Sequence, residues 1–370
     1  MRIAITGASG FVGRNLRWRL RELGYADVRL ISHRVNDSEL IEQLQGLQFV
    51  FHLAGVNRPQ DPSEFDDGNA DFSVRLCAIL GSLPNPPAIA FASSTQAMLD
   101  NSYGRSKRAA EDMLQHYSRQ CRVPVYIFRL TNVFGKWCRP NYNSVVATFC
   151  HNIARGLPVT VNDPNGALRL VYIDDVVNQM LALLDAPVAA DGYVEVQPSY
   201  DTTVGDLAKT LQGFRDTRSH LLTDRVGSGL TRALYATYVS YLPSEAFAYE
   251  VPRHADPRGV FVEMLKTPDC GQFSYFTAKP GVTRGDHYHH SKTEKFLVIK
   301  GRARFGFRHI DSGETHELVS LGGQAQIVET IPGWTHNITN IGDDELIVML
   351  WANEVFDRER PDTIGMKVTP

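Results

Sequence analysis

Apolar positions along the first 245 residues alternate between two rhythms. Short apolar runs, RIAITG, DVRLIS, LQFVFHLAG, PAIAFASS and VPVYIFRL, read as strands buried on both faces. Between them, Val12, Leu16, Leu20 and Leu23 recur at helical spacing, and Gly24 sits where a helix C-terminal cap belongs. Further helices are predicted over 37–47, about 69–82 and about 103–120. Strand–helix alternation predicts a doubly wound, Rossmann-type α/β fold, a parallel sheet with helices on both faces.

The rhythm changes near residue 247. FVEMLK, QFSYFTAK, EKFLVIKG, RARFGFRHI, AQIVETIPG and ELIVMLWANE follow one another, separated by Pro, Gly and Asp turns and without helical period. That pattern predicts an all-β barrel or sandwich. The segment LTRALYATYVSYLPSEAF is expected to be the last helix of the first domain. The division is therefore placed at 1–246 and 247–370.

Composition narrows the class. A chain of 370 residues is too long for one ordinary core, which agrees with two domains. A net charge of −3 gives no electrostatic case for nucleic acid or a membrane surface. Cys77, Cys121, Cys138, Cys150 and Cys270 are odd in number and lack CxxC spacing, so they read as thiols in a reducing compartment. MRIAITG opens directly as a strand, without the basic and apolar regions of a secretory leader. No apolar run reaches the roughly eighteen residues that would span a bilayer. The expectation is a soluble cytoplasmic protein.

The chemistry begins at Thr6-Gly7-Ala8-Ser9-Gly10-Phe11-Val12-Gly13, a GxxGxxG loop between the first strand and the first helix. Gly7 lets the chain turn, Gly10 lets backbone approach a pyrophosphate, and Gly13 lets the helix pack close to the strand. Free N–H groups at the helix start then meet the phosphates. The second strand ends at His33-Arg34, where an acidic residue would bind the 2′-hydroxyl of NAD. A basic pair there favours the 2′-phosphate of NADPH, against the alternative of a solvated surface arginine.

Tyr103 and Lys107, four residues apart, share one face of the predicted 103–120 helix. A phenol of pKa about 10 exchanges protons poorly at neutral pH, and a neighbouring ammonium favours its ionised form. Tyr103 is then suited to protonate a carbonyl oxygen as hydride arrives. Ser93-Ser94-Thr95, at the end of a strand just upstream, offers a hydroxyl to the same oxygen.

TGASGFVG, HLAG at 52–55, SS at 93–94, YGRSK at 103–107, RLTNVFG at 129–135 and RLVYIDDV at 169–176 resemble the extended short-chain dehydrogenase/reductase family. Its members reduce, epimerise or dehydrate nucleoside-diphosphate sugars. The resemblance implies Ser94, Tyr103 and Lys107 as the catalytic set. It implies that Leu53, Ala54 and Gly55 line the cofactor, together with the loop residues Ser9, Phe11 and Val12. It also implies that Asn132 and Arg169 meet the substrate; the alternative for Arg169 is a structural pair with Asp174 or Asp175.

In the second half, His287 and His289 alternate along a strand and so share one face. Glu294 and the distant His336 complete a possible three-histidine, one-carboxylate set, suited to zinc, iron, manganese or nickel. Gly281, His287, His289, Glu294 and Gly301 match the first motif of the cupin family position for position. The second motif, Pro332-Gly333-Trp334-Thr335-His336 with Asn340, departs from it, because proline directly precedes glycine. His290 would face away from the set. DPRGVFVE at 256–263 and RGDHY at 284–288 also resemble the deoxyhexose-4-ulose epimerases. That likeness implies Arg258 and Glu263 as sugar-nucleotide contacts and makes the His287 position a proton-abstracting base. Ligand and base compete for His287; the full ligand set favours ligand, leaving Lys295 or a metal-bound water as alternatives for the base.

The two halves together resemble the bifunctional capsular-polysaccharide and O-antigen enzymes of the CapF/WbjC type, a likeness extended by FGKWCRPNYNSVVATFC at 134–150 and PDCGQ at 268–272. It implies C3 epimerisation, then NADPH reduction at C4, of a UDP-2-acetamido-2,6-dideoxy-hexos-4-ulose, on the route to UDP-N-acetyl-L-fucosamine. The expected cofactors are NADPH and a divalent metal, with zinc favoured. The expected partners are a UDP-sugar and a second copy of the chain in a homodimer, with no nucleic acid and no membrane. Two rivals are a monofunctional reductase with a structural barrel and a non-catalytic NADPH or sugar-nucleotide sensor.

Overall fold

The computed structural model describes residues 1–56, 71–185, 192–256, 259–262, 265, 271–354 and 359–370. The chain forms two compact units, Met1–Phe134 with Asn141–Ser144 and Leu168–Asp201, and Gly135–Pro140 with Val145–Ala167 and Thr202–Pro370.

The first unit follows the alternation read from the sequence: β1 (Ile3–Thr6), α1 (Phe11–Glu22), β2 (Val28–Ile31), α2 (Asp37–Leu44), β3 (Phe49–His52), α3 (Phe72–Ser82), β4 (Ala88–Ser94), α4 (Ser102–Cys121) and β5 (Val125–Leu130). After β6 (Asn132–Phe134) the chain leaves the unit to form α5 (Val145–Ala154), and returns through β7 (Ala167–Tyr172), α6 (Ile173–Asp185), β8 (Gly192–Val194) and β9 (Ser199–Thr203). Six strands pair in the order β2-β1-β3-β4-β5-β8, every pair parallel. Ala4, Val50, Ile89 and Ile127 from the strands pack with Leu76 and Leu80 of α3 and Leu114 of α4. This double burial is why the strands read as unbroken apolar runs. Chain order reverses between β1 and β3, which opens a crevice at their carboxyl ends, where such sheets bind ligands. β6, β7 and β9 form a small separate sheet.

Among the described residues, the second unit contains α5, α7 (Val204–His220), α8 (Gly229–Val239) and twelve strands. These are β10 (Ala248–Glu250), β11 (Arg253–Asp256), β12 (Gly259–Val262), β13 (Gln272–Ala278), β14 (Thr283–Tyr288), β15 (Glu294–Lys300), β16 (Arg302–His309), β17 (Thr315–Leu321), β18 (Gln326–Glu329), β19 (Trp334–Asn340), β20 (Leu346–Ala352) and β21 (Ile364–Gly365). They build two antiparallel five-stranded sheets, β10-β18-β15-β20-β13 and β17-β16-β19-β14-β21, and a β11-β12 hairpin. Phe296 of one sheet meets Phe305 of the other, ring centroids 5.7 Å apart. This is the all-β domain expected from the second rhythm, and it is consistent with the cupin-like fold that the resemblance implied.

α5, α7 and α8 cluster with these sheets. Arg218 of α7 and Tyr235 of α8 both reach the buried Glu329 of β18, at 2.6 and 3.1 Å. Glu329 also pairs with Lys295 of β15. Arg232 of α8 reaches Glu354 at 2.9 Å. Among the strands outside the apolar series are β17 and β19, whose sequences, THELVSL and WTHNITN, are rich in polar residues. Among the described residues no helix is long and apolar enough to cross a membrane.

Candidate functional site

The glycine loop sits at the switch point. Gly7 has φ +67°, and a Cβ there would lie 2.6 Å from the Ala54 amide nitrogen. A Cβ on Gly13 would lie 2.3 Å from the Gly7 carbonyl oxygen. Both positions therefore demand glycine for close backbone approach. Gly10 caps α1 without a side-chain hydrogen bond, which leaves the N–H groups at the helix start available to an anion. Behind the loop, the Thr6 hydroxyl accepts hydrogen bonds from the Leu53 and Ala54 amides, both 3.1 Å, and contacts His52 Nδ1 at 2.7 Å. His52 Nε2 contacts the Ser73 hydroxyl at 2.8 Å. Burial, followed by the Lys107 charge, pushes His52 down to about 3, so this buried ring is neutral. The network brings Leu53, Ala54 and Gly55 to the same end of the sheet as Gly7, Ser9 and Gly10. This cradle fits a dinucleotide pyrophosphate.

His33 and Arg34 lie exposed in the turn after β2, where a ribose phosphate would be met. Arg75 of α3, which the sequence reading overlooked, braces this turn. It donates to the Val35 carbonyl at 2.5 Å and to the Asp37 carboxylate at 2.5 Å.

Ser94 and Tyr103 meet, and Lys107 follows Tyr103 by four residues on the same helix. Asn101 caps α4 by accepting from the Gly104 amide at 2.7 Å, and Tyr103 hydrogen-bonds Ser94. A Cβ on Gly104 would lie 2.3 Å from the Gln96 carbonyl oxygen and 2.5 Å from that of Leu99. Only glycine lets α4 come this close to the turn that follows Ser94. Lys107 is buried and donates to the Ala92 carbonyl at 3.1 Å, with Nζ 5.0 Å from the Phe91 ring centre. Burial lowers Lys107 to about 8, opposed by the Glu111 charge. Burial also raises the Tyr103 phenol, with the Ser94 hydrogen bond opposing it. The choice between neighbouring serines has a physical basis, because Ser93 donates to the buried Glu111 at 2.5 Å. Glu111 in turn holds Arg129 at 2.6 Å.

Asn132 and Arg169 are neighbours: the Asn132 amide donates to the Arg169 carbonyl at 3.1 Å. The Arg169 guanidinium pairs with Glu195 and Ser199, both 3.1 Å. Arg258 and Glu263 lie outside the described residues.

In the second unit, ligand atoms of His287, His289, Glu294 and His336 all lie within 4.8 Å of one another. His287 and His336 are cross-strand partners in the β14–β19 ladder, where the register shifts after Gly285 and Asp286 takes φ +57°. Glu294 enters from the facing sheet. Glu294 Oε2 lies 3.2 Å from His289 Nε2 and 3.4 Å from His336 Nε2. Ligands at 2.0–2.2 Å from a tetrahedral ion stand roughly 3.3 Å apart, so this spacing fits a cation. Both ring nitrogens of His336 are buried without a hydrogen-bond partner among the described residues. Burial raises and the His289 charge lowers the Glu294 carboxyl, which ends well below the usual range. Burial, then His336 and His289, push His287 down to about 3, leaving it a neutral imidazole. A donor set of imidazoles and one carboxylate suits zinc and its neighbours.

Lys295, an alternative base, points to the other face of β15 and is locked against Glu329. Lys292 is the lysine at the cluster, its Nζ 2.8 Å from Glu294 Oε1. The sequence signal was its position in the gap between His289 and Glu294, where strand alternation carries no information.

Residues 3–196 match the NAD dependent epimerase/dehydratase family, and residues 254–364 match the polysaccharide biosynthesis C-terminal domain. The chain is 55% identical over 368 residues to the UDP-2-acetamido-2,6-beta-L-arabino-hexul-4-ose reductase of Pseudomonas aeruginosa, covering 100% of this chain and 99% of that one. The capsular polysaccharide assembling protein CapF of Staphylococcus aureus superposes with a TM-score of 0.67 at 40% identity, covering 99% of this chain and 100% of that one. A CapF structure with the inhibitor 3-isopropenyl-tropolone gives 0.63 at 37% identity, with the same coverage.

Proposed function

The chain belongs to the NAD dependent epimerase/dehydratase family and is a bifunctional UDP-sugar epimerase/reductase of the CapF/WbjC type, and from that premise we propose its individual steps. The substrate is a UDP-2-acetamido-2,6-dideoxy-hexos-4-ulose. The barrel, residues 247–370, inverts C3, and residues 1–246 then reduce C4 with NADPH. The product is UDP-2-acetamido-2,6-dideoxy-L-talose, a precursor of UDP-N-acetyl-L-fucosamine. The order follows from acidity, since the C3 hydrogen is labile only while C4 is a ketone. Reduction therefore traps the inverted centre.

The observation that carries this reading is the presence in one chain of the Ser94–Tyr103–Lys107 group and the His287–His289–Glu294–His336 cluster. NADPH supplies hydride to C4. Tyr103 gives its phenolic proton to O4, and Ser94 holds that oxygen. Lys107 keeps positive charge beside the nicotinamide ribose, and Tyr103 regains its proton from solvent after product leaves. Asn132 and Arg169 orient the sugar nucleotide, as do Arg258 and Glu263. His33 and Arg34 meet the 2′-phosphate. In the barrel a divalent cation, zinc favoured, supplies positive charge when bound. His287, His289, Glu294 and His336 hold it, and Lys292 turns one Glu294 oxygen away from the two histidines.

The protein works in the cytoplasm, in keeping with the reduced thiols of Cys77, Cys121 and Cys150. It works as a homodimer, which light scattering at twice the chain mass would check. The reaction is tested by supplying the intact protein with the 4-keto sugar and NADPH in deuterium oxide, then analysing the product by mass and NMR. Deuterium at C3 of a C4 alcohol is the expected result. An unlabelled alcohol would leave a reductase with a structural barrel, and absence of NADPH oxidation would overturn the enzymatic reading.

A further inference from the structure

The C-terminal segment is built into the cluster. The Asp362 carboxylate accepts three successive backbone amides, from His290 at 2.8 Å, Ser291 at 2.7 Å and Lys292 at 2.8 Å, and also the Ser291 hydroxyl at 3.0 Å. These residues are the loop between His289 and Glu294. The Asp362 backbone carbonyl, meanwhile, stands 2.5 Å from His289 Nδ1. A carbonyl only accepts, so Nδ1 carries the proton. The opposite nitrogen, Nε2, then points at Glu294 Oε2 from 3.2 Å. Immediately after Asp362, β21 pairs with the His287–Tyr288 end of β14, and the Thr335 hydroxyl donates to the Met366 carbonyl. One short segment thus touches the backbone or ring of every histidine-bearing stretch of the cluster.

We propose that Asp362 is a positioning residue of the metal centre, setting the tautomer of His289 with its carbonyl and the path of the ligand loop with its carboxylate. The inference rests on the metal reading of the cluster. A loop of consecutive inward amides is costly to hold unless one anion collects them, and Asp362 collects them 70–73 residues from the groups it aligns. With Nδ1 committed to the carbonyl, Nε2 is the nitrogen left to bind an ion, giving up its proton as the ion enters, which is how outer partners orient imidazole ligands.

The test is cobalt(II) titration of the full-length protein after chelator treatment, following the visible absorption of the bound ion. The wild type should bind one cobalt per chain. Asp362→Ala should bind it about 10–100-fold more weakly, with an altered absorption band, while NADPH affinity is unchanged. Asp362→Asn, which keeps the shape but cannot collect all three amides, should fall between. Where Asp362→Ala does not fold by circular dichroism, Asp362→Asn decides. Unchanged cobalt affinity and spectrum in the folded variant overturn the positioning role, even if its melting temperature falls. A wild type that takes up no cobalt overturns the metal reading itself, and with it the role of Asp362.

Discussion

His287 and His336 stand opposite each other on adjacent antiparallel strands, their ring centroids 4.7 Å apart. Two imidazoles so placed, with ligand atoms of His289 and Glu294 within 4.8 Å, suit a common cation. His336→Ala and Glu294→Gln should each lower bound metal well below one per chain, read by elemental mass spectrometry. Deuterium incorporation at C3 should fall with it. NADPH affinity should not change.

Tyr103→Phe removes the proton that O4 needs and leaves the glycine loop untouched. NADPH oxidation should fall about 10²–10⁴-fold, with cofactor binding preserved. Because inversion precedes reduction, this variant should still exchange solvent deuterium into C3. Loss of exchange would contradict the proposed order.

Gly104→Ala changes no functional group. Its Cβ, 2.3 Å from the Gln96 carbonyl oxygen, must push α4 away from the turn after Ser94. A loss of about 1–3 kcal/mol in urea unfolding is expected, with a fall in kcat as Tyr103 and Ser94 separate. Wild-type kcat in a folded variant would argue that their spacing is not critical.

Arg34→Ala should raise KM for NADPH about tenfold, the worth of a charge-assisted hydrogen bond, and leave KM for NADH where it was. Equal effects on both cofactors would remove the 2′-phosphate assignment.

His52 gives a pH signature. Its folded pKa, pushed by burial and then by Lys107 to about 3, lies below the ordinary 6.5. Above pH 6.5 the ring is neutral in both folded and unfolded chains. As pH falls from 6.5 toward 3 the unfolded chain takes up a proton that the folded one refuses, and stability is lost. The expected contribution is about 1.4 kcal/mol per pH unit. His52→Asn should be less stable than wild type at pH 7, and the gap should narrow at pH 4.5. A gap independent of pH would mean that His52 does not resist protonation.

Much of this was legible in the sequence, for identifiable reasons. Glycines at 7 and 13 are visible because steric demand leaves no other choice, and His287, His289 and Glu294 are visible because strand period and motif spacing coincide. What escaped depends on contacts between distant segments. Nothing near Asp362 announces that it will collect the amides at 290–292, and Gly104 looks like a neutral neighbour of Tyr103 until the Gln96 carbonyl is placed against it. Lys295 and Lys292 were indistinguishable by type. Their places in the fold separate them: Lys295 sits on β15 and pairs with Glu329, whereas Lys292 lies in the loop before β15, at Glu294.

The grouping of α5, α7 and α8 with the barrel bears on how such a protein can be cut or inherited. The chain passes between its compact units five times, at 134/135, 140/141, 144/145, 167/168 and 201/202. No single splice in the reading frame would release either unit whole. A fragment beginning at 247 would leave behind Arg218 and Tyr235, the partners that surround Glu329. The two activities are thus tied as one heritable object, and a duplicated gene would have to diverge by substitution within the full frame, not by shedding a half.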